Sequence, residues 1–490
     1  MSINIRNPEA EIRENRLGSI VNYSGTAADL CRLCSHGNIC HREATFMQAG
    51  ECASQRAIIQ VSAIRDAAVI NHGPIGCAGD FAGWSVSNRD GLIARGFDPQ
   101  KARALSTNLK EKDTIYGGTE KLAEAIDEAY SRFRPRAIFI MTSCASGIVG
   151  DDVEGVLEEK ESELGIPIVG VYCEGFKSKV WTSGFDASFH GILRKIVKPP
   201  KEKQKDLINI VNFSGRHVFT PFFAKVGLRV GYVVPYSSIE QLEKLSEAAA
   251  TTHICETLGT YICRALEQEY GVPEVKAPSP YGLAWTDRWL REIGKITGKE
   301  REIEALIKEE RERIAPELAE LREKLAGKTA YVFAGDAYAH SMINVARDLG
   351  LNVIGTTTYH HDVVFDNGHE ELNSLKNIVK SGGDVENFTV FTKQPYQAIN
   401  ILKNLNPDLV IFRHPDMAVL ATKLGIPAFF ISGDANTYAL YQGVLATGYK
   451  ILSALDTKYF IKKIAKRAKF PYTDWWYRQD PFVFVEESHE

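Results

Sequence analysis

An apolar strand followed by an amphipathic helix recurs along this chain, and that alternation constrains the fold more than any single motif. Residues 136–144 (RAIFIMTSC) read as a strand, 152–164 (DVEGVLEEKESEL) as a helix and 167–173 (PIVGVYC) as the next strand. A helical run at 120–133 (EKLAEAIDEAYSRF) and a helix-then-strand pair at 57–71 (AIIQVSAIRDAAVIN) precede them. Strands joined through helices are parallel, because the return crossover needs roughly a dozen residues or more. The same pattern returns at LINIVNF (207–213) and LRVGYVV (228–234). It returns again at TAYVFAG (329–335), LNVIGTT (351–357), DLVIFR (408–413) and IPAFFIS (426–432).

The 490 residues exceed what one core serves. The expected fold class is α/β, with three Rossmann-like domains and parallel sheets. The proline- and charge-rich KIVKPPKEKQKD (195–206) marks one boundary, and the charged helix at 299–327 closes the second unit. The expected domains are 1–205, 206–327 and 328–490, with residues 1–50 an irregular, cysteine-rich arm. Open parallel sheets bind ligands beyond the carboxyl ends of their strands. Cys77, Cys144, Cys255 and the stretch after Ser432 all fall there.

A net charge of −4 gives no basic excess to draw the chain to nucleic acid or anionic lipid. No run reaches about 18 apolar residues, so no membrane span is expected. The N-terminus is polar and charged, and a cytoplasmic location is the expectation. Disulfides are then improbable for the nine cysteines.

Cys52 (QAGECASQ), Cys77 (HGPIGCAGD) and Cys144 (MTSCASGIVGDD) each sit among Gly, Ala and Ser. Small neighbours let an inorganic cluster approach the backbone, and thiolates suit iron–sulfur clusters. Free cysteine also packs as a small hydrophobe, and spacing alone leaves ligation and packing both open.

HGPIGC, EKDTIYGG (111–118), SCASGIVGDD (143–152) and CEGF (173–176), in that order, resemble the α subunit of the nitrogenase component 1 family. The resemblance continues through HICETLGTYICRALEQEYGVP (253–273) and, more weakly, GIP (425–427). It implies that Cys52, Cys77 and Cys144 help hold a relay iron–sulfur cluster, of the P-cluster or 4Fe-4S kind. Three thiolates do not complete such a cluster, so a β-type partner subunit supplies the rest, in an expected α2β2 heterotetramer. Cys255 matches the cysteine that anchors the active-site iron–sulfur cofactor, whose heterometal the sequence leaves open. Cys173 and Cys263 match no ligand and are expected to pack. No GxxxxGK[ST] loop is visible, so the resemblance assigns ATP hydrolysis to a separate dimeric iron protein.

The chain also departs from nitrogenase. Where that family carries a second cofactor ligand, a histidine, this chain offers Ser432. His360 and His361 in TTTYHHD are either stand-ins or exposed loop residues. In CEGFKSKVWTSGFDASFHG, Trp181 and Phe185 align with a glutamine and a histidine. They either line an apolar pocket or fill core, and His190 is a nearby proton source. CRLCSHGNICH (31–41) adds Cys31, Cys34 and Cys40, with His36 and His41. CxxC spacing suits a metal or a redox pair. These residues are further ligands or an uncommitted arm over the relay cluster.

The expected function is therefore the α-type subunit of a nitrogenase-like reductase acting on a small substrate. The aromatic replacements favour the methylthio-alkane reductase branch, which cleaves carbon–sulfur bonds. The alternatives are a cofactor-assembly scaffold, a divergent enzyme reducing dinitrogen, or a metal-free α/β binding protein.

Overall fold

The computed structural model describes residues 2–37, 39, 52–79, 81–99, 103–212, 216–364, 366, 368–391, 394–413, 416–431 and 438–482, without the side chains of 82–87 and 416. The expected α/β class is what it shows, built on three sheets.

The first sheet runs Ala104–Ser106, Ala67–His72, Ala137–Thr142, Ile168–Val171, all parallel. Its central strands are buried along their whole length, which is why they read as unbroken apolar runs. Alternation still divides them. Phe139 and Met141 join a core with Ala57, Val61 and Phe189. Ile138 and Ile140 join Leu122, Ile126 and Leu157 on the other face. Helices Ala53–Ser62 and Ser183–Lys195 therefore cover one face, and Thr119–Phe133 and Val153–Leu164 the other. Each such side chain contributes about 1.5–3 kcal/mol by leaving water.

The second sheet orders Arg229–Val233, Gln204–Val211, Ala248–His253, again parallel. The strand Ala248–His253 was not expected, because AAATTH lacks the bulky apolar run that marks a strand. Its small residues are covered by the helix Glu256–Tyr270 that follows.

The third sheet has six strands: Asn22–Gly25, Phe388–Phe391, Asn352–Thr358, Thr329–Ala334, Leu409–Phe412 and Ala428–Phe430. All neighbours are parallel except the first pair. This corrects the reading of the N-terminal arm. Residues 1–50 are not irregular throughout, for they form helix Arg13–Leu17, strand Asn22–Gly25 and helix Ala27–His36. Nor do they all stay with the first unit, since Asn22 pairs with Phe391 and Gly25 with Phe388. An uncovered edge exposes unpaired N–H and C=O groups, and this strand closes it. NYSG has no strand periodicity of its own; the edge imposes the conformation.

Candidate functional site

Cys52, Cys77 and Cys144 are placed by three chain turns around the first sheet. Cys52 is the N-cap of helix Ala53–Ser62. Cys77 lies in the 3-10 turn Ile75–Ala78, just past strand Ala67–His72. Cys144 opens helix Cys144–Val149, whose start is fixed by a capping box between Ser143 and Ser146. Two of the thiols, Cys52 and Cys144, meet at Gly175. A methyl group on Gly175 would lie 3.3 Å from Cys52 Sγ and 3.5 Å from Cys144 Sγ. Burial pushes the Cys77 thiol up, and charge on Cys52 and Cys144 adds to that. A side chain there would crowd both sulfurs, and glycine lets the CEGF turn pass this close to them.

The thiol cluster opens outward. Cys144 is exposed, and Cys52 and Cys77 are half-buried. Beside it stand exposed apolar side chains: Ile75 (62%), Ile115 (75%), Tyr116 (87%) and Ile148 (76%). The EKDTIYGG loop that presents two of them is pinned from below. Asp151 accepts from Gly118 N at 2.7 Å and pairs with His72 Nε2 at 3.0 Å.

Cys255 occupies a closed site. It is 3% exposed and caps the N-terminus of helix Glu256–Tyr270, directly after strand Ala248–His253. Burial, then Glu256, pushes its thiol up to about 12, while backbone N–H groups of Leu258 and Thr257 favour the thiolate. Arg13, from the arm, bridges three elements beside it. It donates to Asp186 at 2.6 and 2.7 Å, to Asp362 at 3.1 Å and to Thr257 O at 2.5 Å. Arg16 adds a bond to Asp186 at 2.6 Å and an ion pair with Asp366. Sequence reasoning missed both arginines; no local pattern distinguishes them from surface charges.

Trp181 and Phe185 are 9% and 7% exposed, with ring centroids 6.1 Å apart. Arg56 lies over Trp181 at 4.7 Å, and burial together with like-charged Arg413 pushes the Arg56 guanidinium down to about 9. His360 meets the Trp181 ring at 5.9 Å. His360 and His361 are not exposed loop residues, at 0% and 3%. They follow strand Asn352–Thr358 into the junction, so burial comes from the sheet and not from their own polarity. Neither His360 ring nitrogen has a hydrogen-bond partner among the described residues.

Asp336, His360 and Asp362 bring one donor atom each to within 4.8 Å of one another. Among the described residues no other three His, Cys, Asp or Glu side chains do so.

His190, expected as a nearby proton source, has both ring nitrogens bonded within the protein. Its Nδ1 meets Tyr261 Oη at 2.8 Å and its Nε2 meets Asn7 O at 2.8 Å. Cys173 and Cys263 are buried, and Cys173 Sγ bonds Val171 O at 3.4 Å. Cys31 and Cys34 lie on helix Ala27–His36, which packs on helix Ser374–Gly382. The arm helix thus sits at the third sheet and not over the three thiols, because the strand before it is paired there. Cys40, His41 and Ser432 lie outside the described residues.

Two cysteine sites at strand carboxyl ends, one open and one closed, frame the comparison with known proteins. The family model for nitrogenase component 1 type oxidoreductase matches residues 52–456. The chain belongs to that family. A nitrogenase molybdenum-iron protein alpha chain of Methanosarcina barkeri is 31% identical over 301 residues, covering 59% of this chain and 56% of that protein. The iron-molybdenum cofactor biosynthesis protein NifE of Rippkaea orientalis is 31% identical over 420 residues, covering 83% and 85%. A solved structure, nitrogenase Cp1 at pH 6.5, is 21% identical and covers 88% of this chain and 92% of its own, with a TM-score of 0.69. That likeness shows the nitrogenase component 1 fold. Members of the family bind iron–sulfur clusters and work with a β subunit and an iron protein. Among the described residues no helix is long and apolar enough to cross a membrane.

Proposed function

We propose that this chain is the α-type subunit of a nitrogenase-like reductase, with Cys52, Cys77 and Cys144 holding a relay cluster and Cys255 anchoring the active-site cofactor. The observation that carries the reading is that the Cys52 and Cys144 sulfurs meet at Gly175 on an open face, near enough to Cys77 to perturb its thiol, while a fourth thiol, Cys255, is buried at the junction of the sheets.

The residues present fit such groups. Small residues and a capped helix start surround the open thiols, as a bulky anionic cluster requires. At the closed site, Arg56 and Arg413 press like charges together and neither His360 nitrogen has a hydrogen-bond partner among the described residues, a setting an anionic, hydrogen-bond-accepting group relieves. When bound, the iron–sulfur groups supply one-electron storage and transfer. The protein supplies the rest. Thiolates hold, arginines balance charge, and the Arg13 bridge fixes the loops bearing Thr257 and Asp362.

The open cluster is completed by a β-type partner, for which Ile75, Ile115, Tyr116 and Ile148 form the apolar rim. Electrons come from a separate ATP-dependent iron protein. Trp181 and Phe185 replace a hydrogen-bonding and a proton-handling group with apolar bulk, which favours a small thioether, such as a methylthio-alkane, over dinitrogen.

A second reading is a scaffold for cofactor assembly. It is supported by the biosynthesis relatives, of whose length the match spans 69–85%. A single cysteine anchor at Cys255 also suits release. Anaerobic co-purification with the β-type subunit, iron analysis, and turnover with the iron protein and ATP on dinitrogen and on small thioethers separate the two. Thioether cleavage by an iron-loaded complex supports the reductase. A loaded, inactive complex that passes its cluster to an apo-enzyme supports the scaffold. A colourless complex defeats both.

A further inference from the structure

The CxxC of the arm remains without a role in that reading, and the fold gives it neighbours that its sequence does not suggest. Cys34 Sγ lies 3.5 Å from Nε2 of His361. Nδ1 of the same ring lies 3.1 Å from Asp336 Oδ1. The other Asp336 oxygen accepts the backbone N–H of Asp362 at 3.0 Å, which fixes the carboxylate. Thiol, imidazole and carboxylate thus stand in the order that activates a nucleophile: a base beside it, and a third group orienting the base. His361 and Asp336 are 3% and 2% exposed, whereas Cys34 is half-buried, so the sulfur is the member that solvent reaches. Cys31 lies one helical turn earlier on the same face.

We propose that Cys34 is a thiol–disulfide exchange site, activated by His361 and Asp336, that takes small-molecule disulfides, with Cys31 as its resolving thiol. Cys34 thiolate attacks one sulfur of RSSR. A Cys34–SR bond forms as the S–S bond of RSSR breaks, one RS⁻ leaves, and the mixed disulfide holds the oxidation state that RSSR had. In the second step Cys31 gives up its proton and attacks the Cys34 sulfur. A second RS⁻ leaves, and a Cys31–Cys34 disulfide remains, the two thiols oxidised and RSSR reduced to two thiols.

The surroundings decide which cysteine attacks. Cys34 sits in the last turn of its helix, with His361 Nε2 against its sulfur. Burial opposes charge on His361, but Asp336, by charge and hydrogen bond, and then Cys34 raise it well above the ordinary histidine range. His340 and His360 also face Asp336, and burial holds both below that range. Cys31 meets Lys376 and Asp384 instead, and burial, then Cys34, pushes it up to about 12. The first step belongs to Cys34, and the second is slow. The exchange does not depend on which clusters the chain holds.

The test is to treat the anaerobically purified complex with 4,4′-dithiodipyridine and with oxidised glutathione, follow release of thiol, and map the adducts by peptide mass spectrometry. Iron is measured before and after, so that reaction at cluster-holding thiols is recognised. The adduct should appear first at Cys34. A Cys31→Ser variant should leave the first step unchanged and trap the mixed disulfide. His361→Ala should slow the first step about tenfold at pH 7, since an unassisted thiol is only a few per cent ionised there. Asp336→Asn, which preserves shape, should slow it in the same direction if His361→Ala does not fold. An unmodified Cys34 in the native complex, or folded His361 and Asp336 variants that react at the native rate, would overturn the proposal.

Discussion

Arg13 Nε lies 2.6 Å from Asp186 Oδ2, and neither side chain is more than 2% exposed. The pair joins the N-terminal arm to helix Ser183–Lys195, and through Asp362 and Thr257 to the junction that encloses Cys255. A charge buried this deeply is tolerated because every edge of the guanidinium has an acceptor.

Removing it should therefore be costly. Arg13→Ala leaves Asp362 with Ser19 Oγ as its hydrogen-bond partner and His360 Nε2 3.8 Å away, while Asp186 keeps Arg16. We expect a loss of about 3 kcal/mol, the lower end for breaking a buried pair, because both carboxylates keep one partner. Urea denaturation of the variant measures it. A loss under about 1 kcal/mol would mean that the bridge is not a structural tie.

His340 gives a pH dependence. Burial, despite Asp336, holds its imidazole down to about 4 from the ordinary 6.5. The unfolded chain then binds a proton between about pH 6.5 and pH 4 that the folded chain does not. Its contribution is present in full above pH 6.5 and is lost as pH falls through that window, by up to about 3 kcal/mol. Stability against pH, measured by denaturant midpoints for the native chain and His340→Asn, should show the slope reduced in the variant. Parallel curves would exclude His340 as the source.

Gly175 tests the open thiol site. A Cβ there would stand 3.0 Å from Cys52 Cβ and within 3.5 Å of two sulfurs. Gly175→Ala should lower iron retained by the co-purified complex, whereas the fold, whose cores lie elsewhere, should keep its melting temperature within a few degrees. Full iron content in the variant would remove the argument that the CEGF turn is shaped around the thiols.

Ile148 tests the apolar rim. It is 76% exposed on the short helix that begins with Cys144. Ile148→Glu should leave the isolated chain as stable as before and weaken co-elution with the β-type subunit by at least about tenfold in Kd, or roughly 1.4 kcal/mol. Unchanged assembly on a sizing column would place the partner on another face.

Trp181 tests the pocket. Trp181→Ala opens space beside Phe185 and removes the ring under Arg56. In the loaded complex, kcat/KM for a bulkier thioether should rise relative to the smallest one by about tenfold. An unchanged ratio would make Trp181 a core residue without contact to substrate.

Strand burial and strand-end turns are written in consecutive residues, so the alternating layers and the places of Cys77 and Cys144 were legible before any fold was known. Val69, Phe139 and Val169 are apolar for the same local reason that makes them strands, and each turned up in the first core. The N-cap position of Cys255 was legible from the helix that follows it. Tertiary structure decided the rest. Asn22–Gly25 is a strand only because Phe388–Phe391 offers it an edge. Arg13 and Asp362 stand 349 residues apart, and Cys34 and His361 stand 327 apart. Nothing in either local segment specifies the other. Burial turns Arg13 from a solvated side chain into a bridge, because an ionised group withdrawn from water persists only beside a partner that the fold delivers.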